Sequence, residues 1–452
     1  MTLAVFELRR MARNPLIWAA VVVAVAVEGL RASSWWPDLT FVTLRAVTAS
    51  TLVAGAVLVA ANLAAGRDRR GGLPESLGAL PARAAARTRA VLLAAPVAGA
   101  LAAASVIAPL VGYALLRGPA AGTFDGWEAL NGLALTALAA TLGAALARWT
   151  PWPFTPLLVI FGFAFLIFAN PRGEYGGWAL PWVATHDATL GPRPSAAHLS
   201  YLVALAVAAG AVAVLRHGPR PIPAVLAAVS LAVAVPVAAR ADYLPKPAPA
   251  GCQDRDGLTF CPRPGYQPWV ARWAAALRPI TSVVPPGALA RVPELRQDLH
   301  GSLPLVWRTG VSETSLAGVE AHGAAGLEPG PVCGQARTVV ALWLTGRVAG
   351  LAESAPRTWG PPPETIRPGD GWHVYPLAET GSSAIVPGRL NGAVYGDADL
   401  VNARVLLRDP AAAGRVRAHW AVLTDPATTT VRAAPLLGIK AVTDSRACGE
   451  PA

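Results

Sequence analysis

The first half of the chain alternates long apolar runs with short polar breaks. Seven segments, about 15–31, 41–65, 90–116, 127–148, 152–170, 198–216 and 221–241, are apolar over most of their length. A helix needs ~20 such residues to cross a hydrocarbon layer ~30 Å thick, so each is long enough, or nearly so, to span a bilayer. The first is the weakest, because Glu28 cuts its apolar run short. ELRRMARNP before it also suits the charged start of a signal peptide. No small-residue cleavage site precedes Ser33-Ser34-Trp35, which favours a retained span.

Beyond residue 241 the pattern changes. LPKPAPAG (244–251) reads as a stiff Pro-rich linker. YQPWVARWAAALRPI then places Trp269, Trp273, Ala276 and Ile280 on one helical face, and Val292, Leu295 and Leu299 suggest a second amphipathic helix. TVVALWLT (338–345), VNARVLL (401–407) and HWAVLTD (419–425) read as strands. The pattern predicts an α-helical polytopic membrane protein of about seven transmembrane helices (1–241), a linker (242–251) and an α+β domain (252–452).

Composition agrees with the membrane reading. The 452 residues are 54% hydrophobic and only 14% charged, where a soluble domain averages roughly 25% charged. A net charge of +11 raises the question of nucleic acid. The densest basic run lies between two lipid-length apolar segments, which argues against it and makes the bilayer the partner.

Sidedness follows from arginines near the span ends. With the N-terminus inside, the inner side carries twelve: Arg9, Arg10, Arg13, six between residues 67 and 89, Arg148, Arg216 and Arg220. The outer side carries six: Arg31, Arg45, Arg117, Arg172, Arg193 and Arg240. The expected topology is therefore a multi-pass plasma-membrane protein with a cytoplasmic N-terminus and an extracytoplasmic C-terminal domain. Tryptophans near the span ends, Trp35, Trp127, Trp149 and Trp182 among them, suit the interface. All four cysteines, Cys252, Cys261, Cys333 and Cys448, fall after the last apolar segment. An even number confined to an oxidising side suggests disulfides, with Cys252–Cys261 closing a short loop and Cys333–Cys448 a second bridge. Four unrelated buried thiols are the other reading. Within the spans, Glu28 and Arg45 both lie near the outer end and are placed to form an ion pair, as structure or as function.

The stretch RDRRGGLPESLGALPARAAARTRA (67–90) interrupts the apolar pattern. Gly71-Gly72 breaks any preceding helix, Pro74 suits a first helical turn, and Leu73, Leu77 and Leu80 share one helical face until Pro81. This is a short amphipathic helix at the membrane surface, either a plain basic anchor or a docking element. FELRRMARNPLIW, the second span ending AANLAAGRDRR, and this loop together resemble the permease subunit of an export-type ABC transporter of actinobacterial kind. The resemblance covers roughly residues 1–240. It implies an interfacial N-terminal helix and a coupling helix that docks into an ATPase subunit. Pro74, Glu75, Ser76, Leu77, Leu80 and Pro81 would then lie at or near the contact, flanked by Arg83 and Arg87. A second permease subunit, identical or not, is also implied. Six spans are usual in that family, so a seventh span and the large C-terminal domain depart from it.

The chain itself has no G-x-x-x-x-G-K-[ST] loop; Lys246 and Lys440, its two lysines, sit in YLPKPAP and GIKAV. It binds no cofactor on this reading, and ATP with Mg belongs to the partner subunit. No H-E-x-x-H or G-x-S-x-G pattern is present, so neither a zinc peptidase site nor a nucleophile elbow is expected. His300, His322, His373 and His419 are scattered, and His186-Asp187 is a weak metal motif. The alternative to a transporter subunit is a membrane-anchored extracytoplasmic binding or sensor protein, for which seven spans exceed what anchoring requires.

Overall fold

The computed structural model describes residues 3–32, 37–67, 84–150, 152–169, 195–239, 251–292, 294–297, 311–328, 330–349, 389–390 and 393–443. The chain divides into two compact units, Met1–Pro247 and Ala248–Ala452.

Among its described residues the first unit is built of helices, with one isolated bridge between Asp38 and Ala121. A short helix α1 (Leu3–Ala12) meets α2 (Pro15–Ala32) at a 44° bend. Next come α3 (Leu39–Ala65), α4 (Ala84–Leu116), α5 (Gly126–Trp149), α6 (Thr155–Ala169), α7 (Ser195–Leu215) and α8 (Pro221–Ala239). Local chemistry sets the starts. Asp38 caps α3 by accepting from Phe41 N, and Asp125 caps α5 by accepting from Trp127 N and Glu128 N. Each of the seven apolar segments carries a helix. By length and composition α3, α4, α5 and α7 can cross a membrane, and α1 with α2 can form a fifth, bent span. Over their described residues α6 and α8 are apolar but shorter.

The bundle packs by close backbone approach. α3, α4 and α5 pack against one another, α7 lies on α5, and α8 lies on α7. The central contacts are small: Ala46, Ala61, Ala95, Ala140 and Ala144 are buried, with Val53, Val57 and Val106 between them. A Cβ on Gly143 of α5 would sit 2.3 Å from the Leu58 carbonyl oxygen of α3. Only a glycine allows that approach, and it lets Asn62 Nδ2 donate to Gly143 O at 3.2 Å. Such close packing of small residues is how helices associate in lipid, where apolar burial gives little drive.

The second unit has a different core. A two-residue turn at Asp256-Gly257, both at positive φ (52° and 82°), joins β1 (Gln253–Arg255) to β2 (Leu258–Cys261). β3 (Leu295–Arg296) pairs parallel to β2 and completes a three-stranded sheet. A second small sheet has the order β4 (Gly330–Pro331), β6 (Ala393–Val394), β5 (Arg389–Leu390). The helices are α9 (Val270–Thr281), α10 (Pro286–Leu289), α11 (Val311–Ala324), α12 (Ala336–Ala349), α13 (Asp397–Leu407), α14 (Ala412–Ala418), α15 (Trp420–Leu423) and α16 (Thr430–Leu437). Trp269, just before α9, and Trp273, Leu277 and Ile280 on it form the apolar face, while Ala276 is half-buried.

Several sequence expectations are corrected here. Residues 338–345 are the middle of α12, 401–407 the end of α13, and 419–425 contain α15; none is a strand. α12 is buried on all sides from Ala336 to Thr345, and such a run loses the polar face that marks a helix. In α13, Asp397 and Asp399 in the first turn suit the positive end of a helix. The expected helix through Val292 and Leu295 is also absent. Leu295 lies in β3, in a segment where the sequence Val292-Pro293-Glu294 removes a backbone donor. Leu299 lies outside the described residues.

Candidate functional site

One end of the bundle concentrates arginine. It brings together the starts of α4 and α8 and the ends of α3, α5 and α7. Thr88 Oγ1 lies 2.8 Å from His217 Nε2, and Trp149 Nε1 donates to Val212 O. Arg216 stacks on the Trp149 ring at 6.0 Å. Arg67, Arg87, Arg89, Arg148 and Arg220 belong to the same end. The opposite end carries the acidic caps Asp38 and Asp125, with Glu128 one turn into α5. There Ser195 Oγ, at the start of α7, donates to Asp125 Oδ2 (2.6 Å) and lies 2.9 Å from Glu128 Oε2.

At the arginine-rich end, α1 is fastened to the bundle by a clasp that the sequence did not reveal. Glu7 is 7% exposed and accepts from Arg67 Nη2 with both carboxylate oxygens at 3.0 Å. Arg10, one turn on, approaches it at 4.0 Å. Met11 is buried beside it, and Trp18 Nε1 donates to Ala12 O across the bend. Arg67 lies just past the Gly66 cap of α3, at the first residue of the arginine-rich stretch. Of the expected coupling residues, Arg87 is in the first turn of α4. Pro74, Glu75, Ser76, Leu77, Leu80, Pro81 and Arg83 lie outside the described residues.

Glu28 and Arg45 form a forked pair: Arg45 Nε donates to Oε2 at 3.0 Å and Nη2 to Oε1 at 2.9 Å. Arg31 adds a contact to Oε1 at 3.4 Å. Both carboxylate oxygens of Glu28 are thus engaged by guanidinium groups. It pins α2 to α3. Arg117 lies over the Tyr113 ring at 5.5 Å on the rim of a small cavity of about 40 Å³ next to this pair.

In the second unit Cys252 is bonded to Cys261, closing the β1–β2 hairpin. Cys333 is also disulfide-bonded, and Cys448 lies outside the described residues. Among the described residues, one group of possible metal donors comes together, Cys252, Cys261 and Glu294. Its two sulfurs are bonded to each other and offer no thiolate. Glu320 on α11 is fully buried, and neither carboxylate oxygen has a hydrogen-bond partner among the described residues. Burial pushes its carboxyl up to about 8. His322, two residues on and so pointing elsewhere around the helix, is lowered by burial and then by the charge of Arg337. His419 caps α14. His186, Asp187, His300 and His373 lie outside the described residues. Glu320 stands in GVEAHGAAG, and a lone acid within an apolar run was its only sequence signal.

No protein-family model matches this chain, and no curated protein or solved structure matches it. Fold and site define a helical membrane-associated protein with a separate disulfide-bonded unit.

Proposed function

We propose that the chain is the membrane permease subunit of an ATP-driven ABC-type exporter in the plasma membrane. The observation that carries this reading is the Glu7–Arg67 clasp. It ties the bent, amphipathic α1 to the bundle at the root of the arginine-rich segment, where a docked ATPase would apply force. In this reading all seven apolar helices cross the bilayer, the arginine-rich end is cytoplasmic and the second unit is extracytoplasmic. ATP and Mg bind to a separate subunit. Closure of the ATPase dimer moves the helix around Leu77, and α1 and α3 transmit that motion as one body because the clasp joins them. Two such permease subunits, identical or different, would form the path.

Co-purification from the native host in mild detergent tests the proposal. A stoichiometric subunit with a phosphate-binding G-x-x-x-x-G-K-[ST] loop is expected, and Leu77→Arg combined with Glu75→Ala should release it. Retention of the ATPase and of transport by that variant would refute the coupling assignment. Absence of any ATPase in several detergents would move the function to the second unit.

A further inference from the structure

A cavity of about 770 Å³ opens between α4, α5, α7 and α8. Its volume lies within the roughly 300–1,000 Å³ usual for small-molecule sites. Apolar side chains line nearly all of it. Along α7 the lining runs from Val203 to Val214, which at ~1.5 Å per residue is about 16 Å. That is about half of a ~30 Å hydrocarbon layer, the depth of one leaflet. Gly210 forms part of the floor, where a Cβ would make only ordinary van der Waals contact with Leu92 Cδ2 (3.8 Å) and Thr141 Cγ2 (4.0 Å).

The polar groups are confined to one end. Arg89 in the first turns of α4 and Arg220 just before α8 both line the cavity, and both are exposed. Among the described residues no acidic one lines it. Neither arginine forms a salt bridge among the described residues. The one hydroxyl, Thr141 Oγ1, is already spent on the carbonyls of Ala137 and Leu138. Pro221 and Pro223 remove two donors from the first turn of α8, so anion recognition falls to the two guanidinium groups. The result is a leaflet-deep apolar groove with two cations at its mouth that meet no carboxylate among the described residues, the complement of a single-leaflet amphiphile with a negative head.

We propose that this groove binds an anionic phospholipid, with an acyl chain along α7 between Val203 and Val214 and the headgroup phosphate between Arg89 and Arg220. The assignment stands apart from the exporter reading, since it concerns retention of a lipid and not transport.

Native mass spectrometry of the full chain, offered phosphatidylglycerol and phosphatidylcholine with identical acyl chains, tests it. A phosphatidylglycerol carrying a photoreactive group in its acyl chain maps the position. Phosphatidylglycerol should be retained at least about tenfold more than phosphatidylcholine and should crosslink within residues 203–214. An arginine near a membrane surface contributes about fivefold in affinity, so Arg89→Gln with Arg220→Gln should lower retention on the order of 20-fold and leave phosphatidylcholine unchanged. Ala206→Trp should displace the crosslink by filling the groove. Both glutamine substitutions are at exposed positions, so they decide the matter even if the tryptophan variant fails to fold. Equal retention of the two lipids, or crosslinking indifferent to the double substitution, would mean unselective lipid in the groove and would overturn the proposal. So would complete displacement of phosphatidylglycerol by millimolar inorganic phosphate, which would show an anion site with no need of an acyl chain.

Discussion

One deeply buried carboxylate sets the two units apart. In the bundle, Glu7 accepts from one nitrogen of Arg67, Glu28 is gripped by the Arg45 fork, Asp38 caps a helix, and Glu128 lies against Ser195 and Asn131. In the second unit Asp399 accepts from Gly334 N and Gly396 N, whereas Glu320, as deeply buried, has no partner among the described residues. The cores differ in parallel. The bundle is centred on alanine and glycine, the second unit on Trp269, Trp273, Phe260 and leucines. Both differences have one cause. In lipid a polar group has no water to fall back on, and apolar area gives little drive, so stability rests on pairing and close approach. In water a large apolar core contributes about 25 cal/mol per Å² buried. Such a core can carry an uncompensated acid, provided the acid stays protonated.

The largest test of that contrast is at Gly143. Gly143→Ala forces a methyl against the Leu58 carbonyl, a backbone atom that cannot turn aside. We expect a loss of about 3 kcal/mol or more, read as a lowered melting temperature in detergent. Gly112→Ala on α4, with nothing within 4 Å of the added carbon, serves as the neutral control. If both behave alike, close approach is not what holds the bundle.

Glu320→Gln should act in the other direction. The carboxyl ionises at about 4.5 when unfolded and at about 8 when buried, so stability falls as pH rises from 4.5 to 8. The glutamine variant should lack that slope and be more stable at pH 7 by on the order of 3 kcal/mol. Denaturant melts across this pH range would measure it, and a slope unchanged by the substitution would show that the acid finds a partner after all. Next in size is the hairpin disulfide. Closing a loop of about ten residues contributes about 2–3 kcal/mol. Cys252→Ser with Cys261→Ser should therefore lower the stability of the second unit by that amount and leave the bundle's transition unmoved. The smallest effect is expected at the clasp. Glu7→Gln leaves Arg67, which is largely open to solvent, able to rehydrate, so about 1 kcal/mol is at stake. Its sharper readout is faster proteolysis of α1, measured against the rest of the chain.

Legibility followed the same physics. The seven apolar segments were readable because a membrane helix needs length and composition alone, and each carries a helix. Glu28 and Arg45 were readable as partners because both sit near the same end of adjacent helices. Glu7 and Arg67 were not, since Arg67 is one of six arginines in a stretch of twenty-four residues and nothing in the sequence singles it out. α12 and α13 were misread as strands because a helix buried on every side, or a short one, shows no period to distinguish it. The groove lined by Arg89 and Arg220 was invisible for another reason. It depends on which faces of α4 and α7 remain uncovered once α8 is in place, a property of packing and not of any single segment.

Asn62 and its acceptor are separated by 81 residues. A ribosome adding about 5–20 residues per second makes the amide roughly 4–16 s before the carbonyl it will bond. During that interval this acceptor does not yet exist, and it is made only when α5 emerges. The contact between α3 and α5 therefore carries an order of birth: it forms only after Gly143 has been made.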